Sequence, residues 1–239
     1  MIRPVRIPRR LARAASGLIL LGVAACASAG GTTLPAAVVP RVEPELATPP
    51  ETATIAAADS VLVRFVTSKG DFDVMLRKEW APLGAVRVGQ VVASGYYDGA
   101  RFFRALRGFV VQWGIPADTA RRREWSARIQ DDPVRESNRR GTITFAAGGA
   151  NTRTSQLFVN LRDNARLDAT SFAPVGEVVR GMEVVDQLHT GYGEGAPAGQ
   201  GPTQQRIGAE GEPYLAKDFP LLDRIIRARV VRVYGPAAR

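Results

Sequence analysis

Along residues 60–77, apolar and polar positions alternate. In VLVRFVTSKGDFDVMLR, Val61, Val63 and Phe65 alternate with Leu62, Arg64 and Val66, and Phe72, Val74 and Leu76 share one face of the following run. Strand side chains point to opposite faces with a period of two, so this stretch predicts two strands around a turn at SKG. The period then changes. Pro82 opens a segment in which Ala85, Val88 and Val92 recur three and four apart, and Gly95 closes it, which predicts a helix over residues 82–94. Two short strands are expected next, at 101–104 and 109–112, with Gly108 in the turn and Gly114 and Pro116 ending the pair. GTITFA (141–146), SQLFVNL (155–161), FAPVGEVV (172–179) and IIRARVVRVY (225–234) read as further strands. Met182, Val185 and Leu188 predict a short second helix ending before Gly191. Residues 117–140 read as a polar surface excursion and 191–216 as Gly/Pro/Gln-rich loop, with at most one helical turn in DFPLLDRI. Many short strands and two helices point to a mainly antiparallel β barrel or sandwich.

The N-terminal quarter has a different pattern. Residues 1–25 hold five arginines, the last at Arg13, and no acid; the apolar run Leu18–Val23 follows these arginines and is too short for a bilayer-spanning anchor. This reads as an export signal over 1–25. Cys26, the only cysteine, follows Val23-Ala24-Ala25 in a pattern that resembles a bacterial lipoprotein box. That resemblance implies a lipid on Cys26 and a membrane-anchored product in the cell envelope or periplasm. Cleavage after Ala29, at ASA before Gly30, is the rival, and would give an ordinary secreted product. Residues 26–59 are rich in Ala, Pro and Thr and carry no periodic apolar face, so they read as a linker to a domain over 60–235.

The leader also changes the meaning of the charge. The chain of 239 residues has 32 basic and 23 acidic side chains, a net +9; without the five leader arginines, 27 face 23, about +4. A mixed surface near +4 is not that of a nucleic-acid binder, and no nucleic acid is expected as a partner. With one histidine, His189, and one cysteine in the leader, no metal site of His and Cys is available. No nucleophile elbow, phosphate-binding loop or dinucleotide fingerprint occurs. The pair Asp131–Asp132 stands before a proline, where a turn accounts for it.

Three ordered motifs carry chemistry: GYYDGARFFRALRGFVVQWGIP, RGTITFAAGGANTRTSQLFVN and LDATSFAPVGEVVRGMEVVDQL. Together, over Val61–Val233, they resemble the cyclophilin-type peptidyl-prolyl cis-trans isomerases. The resemblance implies a closed eight-stranded antiparallel barrel capped by two helices, with surface insertions near 117–137 and 191–224. It also implies catalytic roles for Arg104, Gln112 and Phe109. Phe158, Val110, Ala146, Ala147, Gln156, Leu167 and Phe172 fall on substrate-binding positions. The implied partner is a proline-containing polypeptide, no cofactor or metal is required, and a monomer is expected. This chain departs from the family at Phe103 for a histidine, Trp113 and Ile115 for a glycine and an aspartate, Arg166 for a frequent tryptophan, and Phe172 near a usual histidine. Those departures bear on rate, substrate breadth and cyclosporin sensitivity. Phe103, Ile115 and Arg166 also motivate the alternative of a binding module for proline segments or a partner protein without turnover; a purely structural envelope lipoprotein is a third option.

Overall fold

The computed structural model describes residues 44–235. The export signal, Cys26 and the first part of the expected linker lie outside the described residues.

Strands β1 (Ser60–Thr67) and β2 (Gly70–Arg77) form the expected hairpin, with Val63 opposite Val74 and Phe65 opposite Phe72. Its apolar alternation fills the main core, where the Phe65 and Phe72 rings stack at 4.9 Å. The opposite face is also covered. Arg64 is buried there in a bidentate pair with Asp73, 2.8 and 2.9 Å, and Asp73 also accepts from Arg180.

Helix α2 (Pro82–Ala93) packs Ala85, Val88 and Val92 inward, as their spacing requires. Its N-cap residue, Ala81, offers no side-chain acceptor. The Asp132 carboxylate does this instead, accepting from the Leu83 and Gly84 amides at 2.9 and 2.8 Å. Asp132 also holds the buried Arg153 guanidinium at 3.0 Å, with Asp131 on the same side chain. Asp132 therefore ties α2 to the 129–132 segment, and both aspartates hold Arg153, a role beyond a turn.

The remaining strands are β3 (Arg104–Leu106), β4 (Val110–Trp113), β5 (Thr142–Phe145), β6 (Leu157–Asn160), β7 (Pro174–Arg180) and β8 (Ile225–Tyr234). All pair antiparallel in the order β3-β4-β6-β5-β7-β2-β1-β8. The eight-stranded fold is present, but its closure is less than that of a complete barrel. No ladder joins β3 to β8; the ends meet through a bridge between Arg101 and Arg224 and backbone bonds such as Ile225 to Ala100, 2.8 Å. The same contacts explain why the strand expected at 101–104 starts only at Arg104. The backbone of Phe102 and the side chain of Arg101 are committed to Asp223 and Leu222.

Two expectations are corrected. Residues 52–59 are not linker. Helix α1 (Thr52–Ala57) sinks Ile55 and Ala58 into the core beside α2, and Asp59 is bonded to Tyr234 and Lys78. A six-residue helix with one apolar anchor shows no period in the sequence. Nor are there only two helices. Besides α2 and α3 (Met182–Asp186), residues 204–218 fold as α4 (Gln204–Glu210) and α5 (Glu212–Asp218). Their signals are local but small: Thr203 caps α4, Gly211 joins the two helices at φ +63°, and Pro213 sits in the first turn of α5. Ile207, Tyr214, Leu215 and Leu222 make a second small core around Phe103.

Candidate active site

The turn at Gly108, with φ +64°, folds β3 back on β4 and sets Arg104 opposite Gln112. Gln112 in turn faces Phe158 on β6, and Phe158 faces Thr144 on β5. Side chains that share one face of these adjacent strands meet on one side of the sheet. Arg104, Phe109, Val110 and Gln112 line a groove of about 360 Å³ there. Phe158, Ala146, Ala147, Leu167 and Phe172 complete the wall. Of the expected substrate-binding residues, Gln156 alone stands outside this lining; it borders a neighbouring cavity and reaches the groove through Gln112.

A line of side-chain amides runs from the groove wall through Gln156 and back to the groove at Gln204. Arg104 Nη1 donates to Gln112 Oε1 at 3.1 Å, Gln112 Nε2 to Gln156 Oε1 at 2.9 Å, and Gln156 Nε2 to Gln204 Oε1 at 3.0 Å. Gln112 is buried, so its orientation is held by this chain of bonds. The Arg104 guanidinium lies 5.9 Å from the centre of the Phe109 ring, and Arg166 covers the same ring at 4.8 Å. Two cations thus lie over one aromatic ring of the groove. Phe158 and Phe172 meet edge to face at 5.9 Å.

The wall is fixed from behind by a buried side chain that sequence reasoning missed. Asn138, fully buried, donates to Asp168 and to the Phe172 carbonyl and accepts from Thr144, which ties the 165–172 segment to β5. Burial pushes the Asp168 carboxyl up, but the bonds from Ser137 and Asn138 outweigh it and hold the group below its ordinary value.

Two further groove residues, Glu194 and Gln204, were not legible in the sequence. Glu194 sits in the Gly-rich stretch before α4, where nothing in composition or spacing marks it. Both oxygens of its carboxylate accept from Arg104 Nε at 2.8 Å, and Oε2 forms an ion pair with Nη2 at 2.7 Å. The Arg104 hydrogen bond, with help from the Gly195 amide, holds the Glu194 carboxyl below its ordinary value against the effect of burial.

The departures noted in the sequence have structural explanations. Phe103 is buried in the second core, with Ile115 packed against it, so both support the 203–222 segment and neither lines the groove. Trp113 is fully buried, edge-on to Phe65 and Phe102 at 5.5 and 5.7 Å. It is a core residue. His189 meets Tyr192 edge to face at 5.0 Å, away from the groove lining.

A model of the family described as "Cyclophilin type peptidyl-prolyl cis-trans isomerase/CLD" matches residues 62–207, more than half of the chain. Similar proteins include peptidyl-prolyl cis-trans isomerase A of Dickeya dadantii, 35% identical over 141 residues, 56% of this chain and 73% of that protein. Human peptidyl-prolyl cis-trans isomerase-like 3 is 32% identical over 126 residues, 51% of this chain and 78% of that protein. Among solved structures, a cyclophilin-type isomerase of Cryptosporidium parvum superposes with a TM-score of 0.55 at 20% identity, covering 72% of this chain and 97% of that one. At that identity the likeness is one of fold.

Proposed function

The chain belongs to the cyclophilin-type peptidyl-prolyl cis-trans isomerase family, and from that premise we propose that it turns over X–Pro bonds in the Arg104 groove. The bond isomerises slowly because amide resonance must be broken on the way. No covalent bond is made or cut, so a catalyst acts by binding the twisted amide better than either planar form. On twisting, the proline nitrogen gains lone-pair character. A cationic donor aimed at it stabilises that state, and Arg104 has the right chemistry. Gln112 orients the guanidinium from the facing strand without adding charge. Phe109 and Phe158 grip the proline ring, with Val110, Leu167 and Phe172 around it. Ala146 and Ala147 leave room for the peptide backbone, and Gln156 braces Gln112.

The observation that carries this reading is the cross-strand pair of Arg104 and Gln112 on the wall of an apolar groove. Two-dimensional exchange NMR on an Ala-Pro peptide, with catalytic amounts of residues 44–239, tests it. Subsecond cis–trans exchange is expected from the wild type. Arg104→Ala should lower kcat/KM by about a hundredfold while peptide binding persists. Full activity in Arg104→Ala would remove the arginine from the mechanism, and a folded wild type without exchange would favour a binding module.

The export pattern of residues 1–25 and the Cys26 box support clients among exported or envelope proteins. Radiolabelled fatty acid should enter the full-length chain and be absent from Cys26→Ala. Label in neither would support cleavage after Ala29 and a plain secreted product.

A further inference from the structure

We propose that Glu194 is a positioning residue of the isomerase site, holding one edge of the Arg104 guanidinium so that its two terminal nitrogens serve the peptide. This rests on the reading of Arg104 as the catalytic arginine.

The geometry leads there directly. A guanidinium has five N–H donors. Glu194 takes the Nε–H on both carboxylate oxygens at 2.8 Å and stands 2.7 Å from Nη2 as an ion pair, and Gln112 takes one N–H of Nη1 at 3.1 Å. Among the described residues, one Nη1 donor and the Nη2 donors therefore make no further hydrogen bond and remain for the peptide. With carboxylate and amide on different nitrogens, rotation about the final side-chain bonds is restrained from both sides. That is the preorganisation a transition-state donor needs, because reorienting a long side chain during the reaction adds to the barrier.

Glu194 is itself held. Gly193 bridges Ala105, the neighbour of Arg104 on the edge strand. The Gly195 amide donates to Glu194 Oε1 at 3.0 Å, and the Gly201 amide to the Glu194 carbonyl at 2.7 Å. Gly199 packs so closely against the Glu194 backbone that an added Cβ would overlap the carbonyl oxygen. Beyond the loop, Arg101 pairs with Glu212 on α5, and Phe103 is enclosed by α4, α5 and Leu222. The inserted segment is thus fastened to residues 101, 103 and 105 on either side of Arg104. This also accounts for Phe103: an apolar residue there anchors the segment that delivers the carboxylate.

The test compares wild type, Glu194→Gln, Glu194→Ala and Arg104→Ala in the peptide-exchange assay, with thermal melts to show that each is folded. Glu194→Ala should lower kcat about tenfold with KM within about twofold, and Glu194→Gln, which keeps one acceptor, should recover part of the loss. The Arg104 Nε–H resonance should be sharp and protected in the wild type, weaker in Glu194→Gln and lost to solvent exchange in Glu194→Ala. If Arg104→Ala is inactive while Glu194→Ala equals the wild type, the positioning role is wrong and the catalytic reading stands. A faster Glu194→Ala would also overturn it, since the carboxylate would then be competing with the peptide for Arg104. Activity retained in Arg104→Ala would instead sink the catalytic reading on which it rests.

Discussion

At the residue scale, single side chains in this protein act through the partners they hold. Asp132 is the clearest case outside the groove: it accepts from two α2 amides and carries a buried arginine. Asp132→Ala should remove a helix cap and one carboxylate from Arg153 together. A loss of about 2–4 kcal/mol is expected in a urea titration, with exchange activity retained in the folded fraction. Phe103 gives a second prediction. Phe103→His would install the residue common in the family, yet it would bury an imidazole among Tyr214, Leu215 and Leu222. It should lower the thermal midpoint, by about 2 kcal/mol in stability, and leave kcat no higher than the wild type. A gain in kcat would mean that the second core is not what Phe103 is for.

At the element scale, α1 and the α4–α5 pair show how short helices join a sheet-based domain. Neither has the length to be stable alone, so each depends on the apolar residues it docks. Ile55 sits so close to Gly89 of α2 that a Cβ there would come within 2.7 Å of it. Ile55→Ala should cost about 2–4 kcal/mol by cavity formation. A chain starting at Ser60 should melt below one starting at Pro44 by a similar free energy, measured by differential scanning calorimetry. Equal melting of the two would return residues 52–59 to the linker.

At the scale of the whole molecule, the carboxylates set the acid limit of stability. Burial raises the Asp73 carboxyl, but hydrogen bonds from Arg64 and Arg180 outweigh it and leave its folded value lowered. Asp168 and Glu194 are lowered as well. A carboxyl whose folded pKa lies below its unfolded one stabilises the fold fully above the unfolded value, about 4. That contribution is lost as the pH falls through the folded value. The thermal midpoint should therefore be level from about pH 8 to pH 5 and fall below about pH 4. Asp73→Asn should melt lower at neutral pH and show a shallower acid decline.

The sequence by itself determined the elements whose residues face each other locally. The β1–β2 alternation, the spacing in α2 and the turn at Gly108 all follow from short-range period and turn chemistry, while the strand before that turn begins later than its residues suggest. Arg104 and Gln112 become partners because they lie equally far from that turn. The motif resemblance supplied the other groove residues, from Ala146 to Phe172, by position alone. Tertiary structure decided the rest. Glu194 reaches Arg104 across 90 residues, Asp132 reaches α2 across 48, and Ile55 finds its site only once α2 and β2 are in place. Such contacts leave no period in the chain. They depend on which surfaces the folded sheet leaves for a loop or a single helical turn to cover.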